Sequence, residues 1–326
     1  MPFYLVIFFL IFNFILFKLL ISLNLNFIPI DHPSDKKIHS SQSKLLGGIV
    51  FLINLIFCYI LIKLGFLNNP INIKLINIFV IISIFIISLM DDFALLGVFE
   101  RIILYILSIS IFLIFNPELQ IYYLTIQTLG LTFDFQNYSF LFSIFCIFSF
   151  MNACNFFDGY NLQISNYFLF LVLVLITFYK VFFLLIFLPF LICFSYYNKN
   201  GKIFMGNSGT FLISFFLSFI IIFLNKTKMI TAEEILLLMF LPGIDMIRLF
   251  VTRIFNKKSP FSGDLNHIHH IIYLNLKNKI SFSIVTFLII WPFVSFKLIE
   301  NFYLSIITSL IIYFIFINIK KLKIRF

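Results

Sequence analysis

Charge is scarce in this chain: Asp, Glu, Lys and Arg together make 11% of its 326 residues, against 62% hydrophobic ones. Soluble globular domains carry roughly a quarter of their residues as charges. That class is therefore excluded, and a mean hydropathy of +1.11 marks a polytopic membrane protein. Cysteine is nearly as scarce. Cys58, Cys146, Cys154 and Cys193 stand in or beside apolar runs with no C-x-x-C spacing, which excludes a metal knuckle or disulfide framework and leaves packing residues. The first apolar run has no basic segment before it and no A-x-A site after it, so it is expected to remain as a helix and not to be cleaved as a signal peptide.

Ile, Phe, Asn and Lys are abundant, a usage that resembles an AT-rich coding bias and lowers the weight of any single Phe or Asn. A bilayer asks for about 20 apolar residues per helix. Runs of that kind predict one all-α transmembrane domain with about eleven spans, near 3–23, 47–64, 75–90, 102–116, 138–154, 164–179, 181–197, 210–224, 232–250, 281–297 and 301–318. Only Tyr179 and Lys180 offer a turn between the sixth and seventh.

With the N-terminus outside, the outer cations are Lys63, Lys74, Lys180, Lys226, Lys228 and Lys297, and Lys18 can snorkel from the first span. All other Lys and Arg fall inside. The positive-inside rule then puts the loops at about 24–46, 91–101, 152–165, 198–209 and 251–280, with the C-terminus, in the cytoplasm. The pI near 9.4 reflects this asymmetry, and no nucleic-acid partner is expected.

The same topology gathers Asp31, Asp35, Asp91, Asp92, Asp158, Asp245, Asp264 and all five histidines on the inner side, with Asp134 alone among the aspartates outside. Charges that merely decorate loops would scatter over both faces, so a shared polar site at the inner membrane surface is expected. Glu118, Asp134, Glu233, Glu234 and Glu300 are expected at the outer surface. Asp91 and Asp92 pose the sharpest problem, because adjacent carboxylates ending an apolar run repel each other unless a cation sits beside them.

Five inner segments stand in order: DHPSDKKIHSSQSKLLGGI (31–49), MDDFALL (90–96), NACNFFDGYN (152–161), MGNSGTF (205–211) and DMIRLFVTRIFNKKSPFSGDLNHIHH (245–270). Together they resemble the polyprenyl-phosphate N-acetylhexosamine-1-phosphate transferase family. Its D-x-P-x-x-R-K-x-H…GG pattern is met by Asp31, Pro33, Lys36 (Lys for Arg), Lys37, His39, Gly47 and Gly48, and its paired aspartates by Asp91 and Asp92. Asn152, Asn155, Asp158 and Gly159 match N-x-x-N-x-x-D-G. Arg253, Ser259, Pro260, Phe261, Asp264, His267, His269 and His270 match the R…S-P-F-x-x-D-x-x-H-x-H-H ending. Ordered matches over most of the chain are far more specific than any one of them.

The resemblance implies transfer of N-acetylhexosamine-1-phosphate from a UDP-sugar to polyprenyl (undecaprenyl) phosphate, releasing UMP, at the start of a cell-envelope glycan pathway such as O-antigen synthesis. It places the enzyme in a bacterial inner membrane with its site on the cytoplasmic face. H-I-H-H is closer to the branch using simple UDP-N-acetylhexosamines than to the branch using a muramoyl-pentapeptide donor. Because two anions must meet, Mg²⁺ or Mn²⁺ on hard oxygen ligands is implied. Asp91, Asp92 and Asp158 are the implied catalytic carboxylates and metal ligands, with Asn207 at a further ligand position. Lys36, Lys37, His39, Asn152, Asn155, Arg253, His267, His269 and His270 are implied to bind substrate. Zinc at the histidines is not expected, since no cysteine completes a four-ligand set. The resemblance also allows a homodimer.

Two positions depart from the family pattern: Asn207 stands where relatives carry Asp, and Asn161 where many do. A neutral amide at 207 should weaken the metal site, which leaves a catalytically degenerate scaffold as the alternative. Gly47 and Gly48 serve either anion approach or helix packing, Asp245 either structure or catalysis, and Asp31 either a loop cap or the acceptor site. A CDP-alcohol phosphotransferase would need a D-G-x-x-A-R run, which is absent after Asp158. A transporter would place its ionisable groups near the bilayer midplane.

Overall fold

A computed structural model describes residues 3–23, 25–32, 42–67, 74–259, 266–276 and 278–319. Apolar segments in lipid must satisfy their own backbone N–H and C=O groups, and the helix does so within one segment. The helices are α1 (Phe3–Ser22), α2 (Gly47–Lys63), α3 (Leu75–Asp92), α4 (Val98–Phe115), α5 (Ser139–Phe157), α6 (Gln163–Thr177), α7 (Phe187–Asn198), α8 (Gly206–Lys226), α9 (Ala232–Leu238), α10 (Phe240–Phe255), α11 (Ile268–Asn275), α12 (Asn278–Ile299) and α13 (Phe302–Ile317). Six are long and apolar enough to cross a bilayer, seven if α9 and α10 count as one bent span, and the protein is a multi-pass membrane protein. The other expected runs correspond to shorter apolar helices, among them α2, α6 and α13.

The expected turn between the sixth and seventh runs is present: α6 ends at Thr177, and Lys180 has φ +59°. The ninth run is broken, with α9 and α10 meeting at 72°. Pro242 lies in the first turn of α10, where its missing N–H is tolerated while its ring disfavours helix before it.

The all-α expectation needs one correction. β1 (Ile30–Asp31), β2 (Ser43–Leu45) and β5 (Ile203–Phe204) form a small sheet, antiparallel between β1 and β2 and parallel between β2 and β5. β3 (Tyr123–Ile126) and β4 (Leu131–Asp134) form a hairpin at the opposite end. Loop backbone near the membrane surface still has to pair its polar groups, and two- to four-residue strands carry too little periodicity to be read in advance.

α8 is the centre of the bundle: 89% of its span is buried, against 22% for α1. It is apolar on every side, as a fully surrounded helix must be. Tyr105 stacks on Phe211 at 4.5 Å, and Phe51, Phe187 and Phe216 meet at 5.1–5.8 Å. Amides join helices where lipid offers no partner. Asn13 and Asn54 donate to each other at 3.0 and 2.7 Å, and Asn116 donates to Asn77 at 2.8 Å.

Gly47 and Gly48 turn out to be packing residues. A Cβ on Gly48 would lie 2.5 Å from the Ser208 backbone, and one on Gly47 would lie 2.7 Å from Met205 Cα. The start of α2 is thereby seated on the start of α8. Lys44 donates to Ile21 O and Leu23 O, both at 2.7 Å, and so closes the C-terminus of α1.

Glu233 and Glu234 are not surface residues as expected; both are buried. Glu234 completes a capping box with Thr231 and pairs with Lys297, while Glu233 accepts from Thr128 N at 2.9 Å and ties α9 to the hairpin. Burial of these carboxylates is made tolerable by those donors.

Candidate active site

At the end of the bundle opposite the hairpin, a cleft of about 550 Å³ is walled by Asp31, Asp91, Asp92, Asn155, Asp158, Gly159, Tyr160, Asn161, Asn207 and His270, with Leu45, Phe204 and Gly206. All five inner segments singled out in the sequence reach it: residues 31–49 through Asp31 and Leu45, the end of α3, the end of α5, the start of α8 and the start of α11.

Asp91 and Asp92 end α3, where the helix dipole disfavours carboxylates. Two neighbours compensate. Arg101, on the first turns of α4, donates Nη1 to Asp91 Oδ2 at 2.8 Å. Asp92 faces the N-terminus of α8, where Asn207 N donates to Oδ1 at 2.7 Å and Ser208 N to Oδ2 at 3.0 Å. This satisfies two of the four N–H groups that a helix start leaves without internal partners. Gly206 makes the approach: its φ is +74°, and a Cβ there would lie 2.8 Å from Asp92 Oδ2.

Asn207 donates Nδ2 to Asp91 Oδ2 at 2.8 Å. A carboxylate can only accept, so this bond fixes the amide orientation and turns Oδ1 toward Asn155 Nδ2 at 2.7 Å. Asn207 therefore ties the α3 aspartates to α5.

Asp158 follows α5, and no hydrogen bond from a described residue reaches its carboxyl group. Burial, with Asp92 and Asp31 nearby, pushes its pKa up to about 7. Asn152 is not among the cleft walls. It lies one turn earlier on α5, roughly 4.5 Å deeper along the axis, and donates to Phe148 O of its own helix at 2.8 Å. Lys36, Lys37, His39 and Asp264 lie outside the described residues.

His270 reaches the cleft, whereas His267 and His269 are buried behind it. Ring centroids are 5.3 Å apart for His267 and His269, and 4.2 Å for His269 and His270. A Cβ on Gly159 would lie 2.2 Å from His269 Nε2, so the Asp-Gly segment needs glycine to accept the histidines. Burial, then His270, His267 and Arg248, hold His269 well below the usual imidazole pKa, leaving it neutral. Arg253 is buried with its guanidinium 6.0 Å from the Phe156 ring centroid, and does not line the cleft.

Asp245, His267 and His269 could each place one ligand atom within 4.8 Å of the others. Asp245 also accepts from Arg248, Tyr313 and Ile268 N, and meets His267.

The sequence reading missed three features of the site. Arg101 was visible only as the basic residue of its loop, the Tyr160–Tyr273 stack at 3.5 Å joins residues 113 positions apart, and Tyr313 carried no signal.

Residues 74–225 match the family described as glycosyl transferase family 4. The chain is 27% identical to the undecaprenyl-phosphate alpha-N-acetylglucosaminyl 1-phosphate transferase of Thermotoga maritima over 245 residues, covering 74% of this chain and 72% of that protein. The proteins of the same name from Pasteurella multocida and Escherichia coli K12 match over 94 and 77 residues at 31% and 35% identity. Those two matches cover 28% and 23% of this chain, and 26% and 21% of the relatives. The part of the chain that is similar to glycosyl transferase family 4, residues 74–225, holds the paired aspartates, Asn155, Asp158 and Asn207.

Proposed function

We propose that this protein transfers N-acetylhexosamine-1-phosphate from a UDP-sugar to a polyprenyl phosphate such as undecaprenyl phosphate and releases UMP. The observation that carries the reading is the cleft shared by Asp31, Asp91, Asp92 and Asp158, in which the Asp158 carboxyl has no hydrogen-bond donor among the described residues. A cluster of hard oxygens that includes a half-buried carboxyl group accepting no hydrogen bond from a described residue fits Mg²⁺, or Mn²⁺ in its place. Asp91, Asp92 and Asp158 would hold the ion, with Asn207 at its edge. When bound, Mg²⁺ supplies charge neutralisation to the donor diphosphate.

The chain's own residues divide the remaining work. A lipid phosphate oxygen attacks the sugar-bearing phosphorus, forming one P–O bond as the bond to UMP breaks. One of the cleft carboxylates would take the proton of the acceptor phosphate. Arg101 and Asn207 hold Asp91 in place. Lys36, Lys37, His39 and His270 would bind anionic and sugar groups, with His267 and His269 supporting His270 from behind; Arg253, buried off the cleft wall, is kept as a substrate residue only if α10 shifts to bring it in. Asn152 is kept as a substrate residue only if α5 yields its bond to Phe148.

The proposal includes eleven passes, an outer N-terminus, a cytoplasmic site in a bacterial inner membrane, a role at the start of cell-envelope glycan synthesis, and a homodimer. The degenerate-scaffold alternative rests on Asn207, whose amide already occupies Asp91. Purified protein incubated with undecaprenyl phosphate and a panel of UDP-sugars, with and without Mg²⁺, should release UMP only with lipid and metal. Nucleotide binding without turnover on any donor would refute the enzyme reading in favour of the scaffold.

A further inference from the structure

The family match ends at residue 225, yet the last described helix reaches the histidines. Tyr313 of α13 is fully buried and donates its hydroxyl to Asp245 Oδ1 at 2.9 Å. Arg248 Nε donates to the same hydroxyl at 2.8 Å, so the phenol hydrogen is directed to Asp245. Asp245 Oδ1 also accepts from Arg248 Nη2 at 2.7 Å and from Ile268 N, at the start of α11, at 3.1 Å. Its other oxygen meets His267 Nδ1 at 2.8 Å.

We infer that Asp245, Arg248 and Tyr313 are positioning residues that set the tautomer and orientation of His267, which makes α13 part of the site. The inference rests on the donor-binding role proposed above for the histidines. A carboxylate only accepts, so His267 Nδ1 carries a hydrogen, and in the neutral ring the lone pair is at Nε2. Asp245 in turn cannot swing, because α10, α11 and α13 each place a donor on it. Arg248 Nη2 also holds Asn266 O at 2.6 Å, which anchors the residue just before His267. From His267 the ring contacts continue through His269 to His270 at the cleft. An orienting carboxylate behind a working imidazole acts by excluding the wrong tautomer.

The direct test needs no substrate. In protein labelled with ¹⁵N-histidine, with the signal assigned by its loss in His267→Gln, His267 should show the Nδ1–H tautomer, and Asp245→Ala should convert it to a mixture. An Nε2–H tautomer in the wild type, or an unchanged spectrum in Asp245→Ala, would overturn the inference. In turnover, Tyr313→Phe should lower kcat/KM for the UDP-sugar by roughly tenfold, the scale of lost outer-shell partners, with a normal melting temperature. Its effect should vanish in a His267→Gln background; multiplying effects would sink the idea. If no UDP-sugar is turned over, the proposed activity fails while the tautomer measurement still decides this point.

Discussion

Replacing Asn207 by Asp introduces the charge that the family pattern implies at this position and puts it where this chain has built a neutral bridge. The amide nitrogen now 2.8 Å from Asp91 Oδ2 would become a carboxylate oxygen. Two unit charges about 4 Å apart repel by about 4 kcal/mol at an effective dielectric of 20. Arg101 on the same Asp91 oxygen and Asn155 on the far side of residue 207 offset part of this. We expect a net loss of roughly 1–3 kcal/mol in metal-free protein, the scale of leaving a buried polar group unpaired. Mg²⁺ reverses the sign, because an added carboxylate strengthens a hard-cation site. Thermal unfolding against free Mg²⁺ should therefore show Asn207→Asp below wild type without metal and a larger stabilisation on titration. Turnover should reach half-maximum at lower Mg²⁺. Activity gained only in the variant would favour the degenerate-scaffold reading. Identical metal dependence in both forms, by unfolding and by turnover, would refute a ligand position at 207.

Asp91→Asn and Asp92→Asn should each lower turnover by about a hundredfold or more. Only Asp92→Asn should also lower the melting temperature appreciably, since its amide would oppose an N–H at the start of α8. Gly159→Ala should destabilise by about 1–3 kcal/mol through overpacking on His269, whereas Gly243→Ala, with nothing within 4 Å, should be near neutral in the same unfolding assay. Asp158 has its folded pKa pushed up to about 7, above the unfolded carboxylate value near 4. Its contribution is therefore fully present below about pH 4 and lost as pH rises through 7. Metal-free protein should lose stability from pH 5 to 8, and Asp158→Asn should flatten that slope. For sidedness, Lys257→Cys in a background without native cysteines should react with an impermeant thiol reagent only after the cytoplasmic face is opened. Labelling from outside in intact cells would reverse the proposed topology.

The sequence alone determined the class and much of the candidate site. Scarce charge and long apolar runs leave only a membrane bundle, because nothing else buries so much apolar surface. The inner-side placement of Asp91, Asp92, Asp158 and His270 followed from charge asymmetry, and all four meet in one cleft. Asn155 and Asn207 join them there as the motifs implied. Depth within the membrane was not legible. Asn152 and Asn155 share a motif, but one helical turn separates a residue bonded to its own helix from a wall of the cleft.

Partners distant in sequence were decided only by tertiary structure. Arg101 neutralises Asp91 because α3 and α4 pack side by side, and Asp92 is tolerated because the N-terminus of α8 points at it. Gly47 and Gly48 became packing residues once α2 met α8. Glu233 and Glu234 looked like outer-surface charges until α9 folded inward onto Thr128 and Lys297. Asp245 could be read either way until Tyr313, 68 residues later, placed a hydroxyl on it. Composition and periodicity report what a segment can bury, whereas a buried charge is settled by whichever donor the fold brings within hydrogen-bond reach.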